Sequence, residues 1–160
     1  MRRGEAFARR AQGFTYVWAL AAVAVLGIGL AAVGSIWTDV MQREREEELI
    51  RVGAAYAQAI MSYRRSAPGS VQHAPPSLEA LELDDRFIKT YRHIRRLYPD
   101  PIDPKRPWGL VTDASGRVIG VFSQSKAQPF RQTAVVNGDV RLPAASSYSE
   151  WKFVPKELQP

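Results

Sequence analysis

The sequence predicts an α+β fold, with a long amino-terminal helix and a shorter helix packed on a small antiparallel sheet. Three observations predict it. Residues 14–38 form a run of 25 without a single charge. Residues 39–65 then repeat apolar positions at helical spacing, with no proline and one glycine, Gly53. Further on, Asp113-Ala114-Ser115-Gly116 and Asn137-Gly138 stand between short apolar runs, the pattern of β-hairpins.

The chain opens on a basic leader, residues 1–13, in which Arg2, Arg3, Arg9 and Arg10 face one acid, Glu5. The apolar run that follows, residues 14–38, would extend roughly 37 Å as a helix, enough to cross a hydrocarbon core of about 30 Å with some tilt. A basic amino-terminal flank tends to stay cytoplasmic, so the expected topology is a single pass with the amino terminus inside and the remainder exported. Within the run Gly27, Ala31 and Ser35 recur every four residues. Such a small-xxx-small ridge lets another helix approach closely, and it is also common by chance in alanine-rich spans. Trp18 and Trp37 lie near opposite ends, where an indole anchors at a membrane interface.

Residues 39–66 continue the same helix. Leu49, Val52, Tyr56, Ile60 and Tyr63 recur at spacings of three and four, with Ala55, Ala59 and Met61 widening the stripe. Glu47 and Arg51 are placed for a favourable i,i+4 pair. The charge run Arg43-Glu44-Arg45-Glu46-Glu47-Glu48 reads most simply as a solvated face. Its sharper reading is a contact between subunits, acids of one facing basic residues of the next.

Residues 67–160 form the rest of one small domain. Ala67-Pro68-Gly69-Ser70 ends the helix, and Ser77 is placed to cap a second one. Leu78, Leu81 and Leu83 begin its apolar pattern, and Phe87, Tyr91, Ile94 and Tyr98 resume it, with a break at Asp84-Asp85. Pro99, Pro101, Pro104 and Pro107 impose an extended connection. Two hairpins follow, and Trp151 and Phe153, two residues apart, mark a closing strand with one buried face.

Composition excludes several classes of function. The formal net charge is +6, but the leader supplies half of it, and without it 18 basic residues stand against 15 acidic. No general affinity for nucleic acid follows. There is no cysteine, hence neither disulfide nor thiolate chemistry. No phosphate-binding glycine loop, nucleophile elbow or zinc-binding helix is present, so neither catalytic residues nor a cofactor are expected. His73 and His93 read as surface residues with no shared metal. Asp100, Asp103 and Asp113 offer oxygen ligands of the kind calcium takes, without a dense acidic loop to gather them, so no metal site is assigned. Lys89, Arg92, Arg95 and Arg96 form the basic cluster of the exported part. Because Tyr91 and Tyr98 fall on the apolar stripe rather than among these charges, a solvated or protein-contacting face is favoured over nucleic acid.

Gly13-Phe14-Thr15, with a basic leader before it and an unbroken apolar helix after it, resembles the class III signal of type IV pilins and type II secretion pseudopilins. The resemblance continues through the charged segment ending at Leu49, through Tyr98-Pro99-Asp100-Pro101 to Trp108-Gly109-Leu110-Val111, and through Val118-Ile119-Gly120-Val121-Phe122-Ser123, similar to the helix-to-sheet junction and first hairpin of small G-type pseudopilins. It implies a pilin-like fold and cleavage after Gly13 by a prepilin peptidase that methylates Phe14. It also implies residence in the bacterial inner membrane with a periplasmic domain. Assembly with other pseudopilins into a short filament would be driven by a cytoplasmic ATPase through an inner-membrane platform. Members usually carry glutamate at the fifth mature position; here Trp18 stands there, which puts a long homopolymer in doubt and brings a minor or tip subunit into view. The alternatives are an uncleaved, signal-anchored periplasmic binding or scaffold protein and, with least support, a DNA-uptake pilin.

Overall fold

The structure, a computed structural model, describes residues 11–69 and 72–159, the side chains of residues 11–14 and 29–36 excepted. It divides into two compact units, Met1–Gln42 and Arg43–Pro160. Helix α1 (Ala11–Arg65) runs through both. In the first unit its large apolar side chains are open: Tyr16, Val17, Trp18, Leu20, Val23, Val25, Leu26 and Ile28 are all more than half exposed. Among the described residues no helix is long and apolar enough to cross a membrane. The expected span over 14–38 includes 29–36, which lie outside the described side chains.

In the second unit α1 becomes the spine of the core. Leu49, Val52, Tyr56, Ile60 and Tyr63 are buried, as their spacing predicts, and so are Ala59 and Met61. Two arginines close the last turn, where a cation favours the carbonyl end of the helix. Pro68 and Gly69, the latter at φ +99°, turn the chain away.

The expected second helix is reduced to one turn, α2 (Glu79–Glu82). Ser77 does not cap it: Leu78 occupies the cap position without a side-chain bond. Beyond Leu83 the chain is irregular to residue 108, although its aromatic spacing matches a helix. Asp84 explains the difference. Its carboxylate accepts the backbone N–H of Arg86 at 3.1 Å, a local bond that competes with helix formation. An antiparallel bridge from Asp84 to Tyr91 then folds residues 84–91 into a loop.

The proline-rich connection is pinned through Tyr98. Its carbonyl accepts the Tyr56 hydroxyl (3.0 Å) and the Trp108 indole N–H (2.8 Å), and its own N–H donates to Tyr56 Oη. Trp108 meets the Tyr56 ring edge-on at 5.6 Å.

The strands form two small antiparallel sheets rather than the single one expected. β1 (Gly109–Thr112), β2 (Val118–Phe122) and β5 (Lys152–Phe153) pair in the order β1-β2-β5, while β3 (Val135–Asn137) and β4 (Val140–Leu142) form a separate ribbon. Asp113 Oδ1 accepts the N–H groups of Ser115 and Arg117, closing the first hairpin, and Gly116 takes the left-handed conformation at φ +76°. In the second hairpin Asn137 pairs with Val140, so the turn is Gly138-Asp139, one residue later than the Asn-Gly signal suggests. Gly138, at φ +58°, supplies the positive φ that a tight hairpin turn needs.

β5 seals the core. Trp151 and Phe153 are fully buried, and the Phe153 ring lies against Gly53 so closely that a Cβ there would stand 2.3 Å from it. The lone glycine of the amphipathic segment is therefore a packing requirement, although glycine weakens a helix by about 1 kcal/mol relative to alanine.

Candidate functional site

Two buried polar clusters stand out, both within Arg43–Pro160. The first centres on Glu46. It precedes Leu49 by three residues and Gly53 by seven, so the helical period turns it inward with the apolar stripe, and it is 1 % exposed. Its Oε2 accepts the Phe130 N–H (2.7 Å) and the Tyr148 hydroxyl (2.9 Å), and its Oε1 accepts the Arg131 N–H (3.1 Å). Arg131 also reaches Glu47 at 3.2 Å, and the Arg43 guanidinium lies 4.0 Å above the Phe130 ring. These groups border a hollow of about 290 Å³. A buried carboxylate held by three protein donors has its hydrogen bonding satisfied within the fold. What it does is tie residues 130–148 to α1.

The solvated-face reading of the charge run fails at Glu46, while Arg43, Glu44, Arg45 and Glu47 are exposed and Glu48 is partly exposed. Glu46 is buried, Glu47 is engaged by Arg131, and Arg51 pairs with Glu48 (2.7 Å) instead of the expected Glu47. The bond to Arg51 holds the Glu48 carboxyl below its ordinary range. Of the four acids that a neighbouring subunit was expected to meet, Glu46 is thus buried, and Glu47 and Glu48 form ion pairs at the surface of their own chain.

The second cluster contains a serine, a histidine and an aspartate in hydrogen-bond sequence. Ser62 Oγ lies 2.8 Å from His93 Nδ1, and His93 Nε2 lies 3.0 Å from Asp84 Oδ2. Arg86 caps the same carboxylate through Nη2 at 2.6 Å, donates to the Tyr63 carbonyl at 2.8 Å and stacks 3.5 Å above the Tyr63 ring. Burial pushes the Asp84 carboxyl up, but the bonds from Arg86 and His93 outweigh it and hold it down at about 2. His93, read from sequence as a surface residue, has a fully buried side chain, flanked by the rings of Tyr63 (5.3 Å) and Tyr91 (4.9 Å). A nucleophilic triad needs its histidine beside a space for substrate. Here the aromatic rings flank it, and the chain of bonds works as a clasp between loop 84–93 and α1. His73 is exposed.

The other residues singled out from sequence are dispersed. Among the described residues no three His, Asp or Glu side chains are gathered to hold a metal. Asp100 is buried and accepts the Ser123 hydroxyl and the Ile102 N–H, Asp103 pairs with Arg106 at 3.2 Å, and Asp113 serves its hairpin. Lys89, Arg92, Arg95 and Arg96 are exposed. Leader residues 1–10 lie outside the described residues. Gly13 and Phe14 fall on α1 backbone, but their side chains are not among those described, nor are those of Ala31 and Ser35. A Cβ on Gly27 would meet nothing within 4 Å.

Sequence logic missed Glu46, Asp84 and Arg86. For Glu46 a signal was present, its phase with Leu49 and Gly53. Asp84 and Arg86 bond each other locally, but what ties them to α1 lies more than twenty residues away: the Tyr63 carbonyl takes Arg86, and Ser62 meets His93, which bonds Asp84. No family model, curated protein or solved structure matches the chain.

Proposed function

We propose that this chain is a pseudopilin-like structural subunit of a type II secretion or related type IV filament machine. The single observation that carries the reading is the junction Gly13-Phe14-Thr15, where a basic leader meets a charge-free run that passes directly into an amphipathic helix. The exposed apolar flank of α1 over residues 15–28 supports it, because an apolar surface of that extent calls for lipid or other helices. An α+β domain whose spine is the second half of the same helix supports a pilin-like fold.

On this reading prepilin peptidase cuts after Gly13 and methylates Phe14. The apolar helix stays in the bacterial inner membrane, with the domain in the periplasm, until the platform and its ATPase extract it into a filament with other pseudopilins. The protein itself catalyses nothing. Trp18, in the place of an acid, spares the helix the roughly 2.5–3.5 kcal/mol that a carboxylate costs at the membrane centre, and it removes the partner for a neighbour's amino terminus, as suits a minor or tip position.

Intact mass and amino-terminal sequence, measured on protein from membranes with and without active prepilin peptidase, test the reading. A chain starting at methylated Phe14 only in the presence of the enzyme is the expected result. Retention of residues 1–13 in both would leave the second reading, an uncleaved anchored periplasmic scaffold.

A further inference from the structure

Loop 84–91 combines a rigid base with an unused tip. The base is built from Asp84, whose buried carboxylate takes Arg86 and His93 and whose backbone N–H donates to the Tyr91 carbonyl, and from the paired rings of Phe87 and Tyr91, 5.2 Å apart. His93 and Ile94 extend it by donating their N–H groups to the Leu81 carbonyl. On this base Ile88 is 108 % exposed, the most open large apolar residue of the domain, and Leu83 and Tyr91 are about half exposed.

Charge surrounds that apolar tip asymmetrically. Lys89, Arg92 and Arg95 are exposed and form no ion pair among the described residues, while Arg96 lies over the Tyr98 ring. Asp85 is the one exposed acid between residues 83 and 96, since Asp84 is buried by its own partners. A rigid loop loses little conformational entropy on binding, which is what an anchor residue requires. An isoleucine with nothing to pack on, ringed by uncompensated cations, matches an apolar socket with an acidic rim.

We propose that residues 83–96 form a docking finger for a protein partner, with Ile88 inserted in an apolar socket and Lys89, Arg92 and Arg95 facing carboxylates around it. The acidic run of α1 in a second copy is a poor candidate for that partner, because Glu46, Glu47 and Glu48 are already engaged. The finger does not depend on the filament reading and survives its failure.

The test uses the full chain in nanodiscs of neutral lipid, titrated with a fluorescent peptide of alternating leucine and glutamate and, separately, with phosphatidylglycerol vesicles. Backbone amide shifts report where the peptide sits. The expected result is binding centred on residues 83–96 that falls about tenfold in Ile88→Ser and in the Lys89→Glu/Arg92→Glu double variant. It should also weaken as salt rises from about 50 to 300 mM, and persist in Val136→Ser, which alters another exposed apolar residue. Unaltered amide spectra outside the loop show that the variants remain folded. Absence of peptide binding, equal loss in Ile88→Ser and Val136→Ser, or Ile88-dependent binding to the vesicles alone would each overturn the proposal.

Discussion

The two halves of α1 share one backbone conformation and opposite surroundings. Leu26 is 65 % exposed in the first half, while Leu49 in the second is fully buried. The difference lies in pattern rather than in apolarity. Over residues 14–38 the sequence is apolar at every helical phase, so no face is distinguished for a protein core; over 49–63 apolar residues keep to one stripe, and it is buried. Helix propensity is common to both halves, and only periodicity says which half meets its own domain.

Equivalent truncations in the two halves give the largest contrast. Leu49→Ala should destabilise the domain by about 2–5 kcal/mol, because it removes buried contacts and leaves a cavity. Leu26→Ala should leave the same unfolding transition in place. Denaturant melts of the full chain in neutral detergent measure both, and equal effects would dissolve the distinction between the halves.

Next comes the hub at the start of the buried half. Glu46→Ala strands the Phe130 and Arg131 N–H groups and the Tyr148 hydroxyl, at an expected cost of about 3 kcal/mol. Glu44→Ala, two residues earlier on an exposed position, should cost nothing measurable. Faster hydrogen exchange at Phe130 and Arg131 in the first variant alone would locate the loss in the segment that Glu46 holds.

The smallest effect concerns the clasp on the last turns of α1. The folded Asp84 carboxyl, at about 2, lies below its ordinary value near 4. The stability that this difference contributes is complete above pH 4 and disappears as pH falls toward 2, amounting to about 2 kcal/mol. An Asp84→Asn variant should lose most of that acid dependence while being less stable at neutral pH. If its acid profile matches that of the parent chain, other carboxylates carry the effect.

Much of this was legible in the residues, for reasons that separate local from distant causes. The stripe from Leu49 to Tyr63 and the two hairpins are set by spacing and by turn chemistry within a few residues, at Asp113, Gly116 and Gly138. The helix expected around Phe87, Tyr91, Ile94 and Tyr98 failed because a correct period says nothing of a competing side chain. Asp84 binds its own loop and, through His93, reaches Ser62. Of the Glu46 hub, the inward phase could be read, but five neighbouring charges masked it. The donors at Phe130, Arg131 and Tyr148 lie too far along the chain for any local rule to find.

The closing strand sets an order of events in time. Trp151 and Phe153 complete the core beside Gly53, and Glu46 waits for Tyr148, 102 residues later. A ribosome delivers the helix first and its cover last, so the stripe has nothing to close on until nearly the whole chain has been made. Whatever compartment receives the domain, its core closes only once the last strand has emerged.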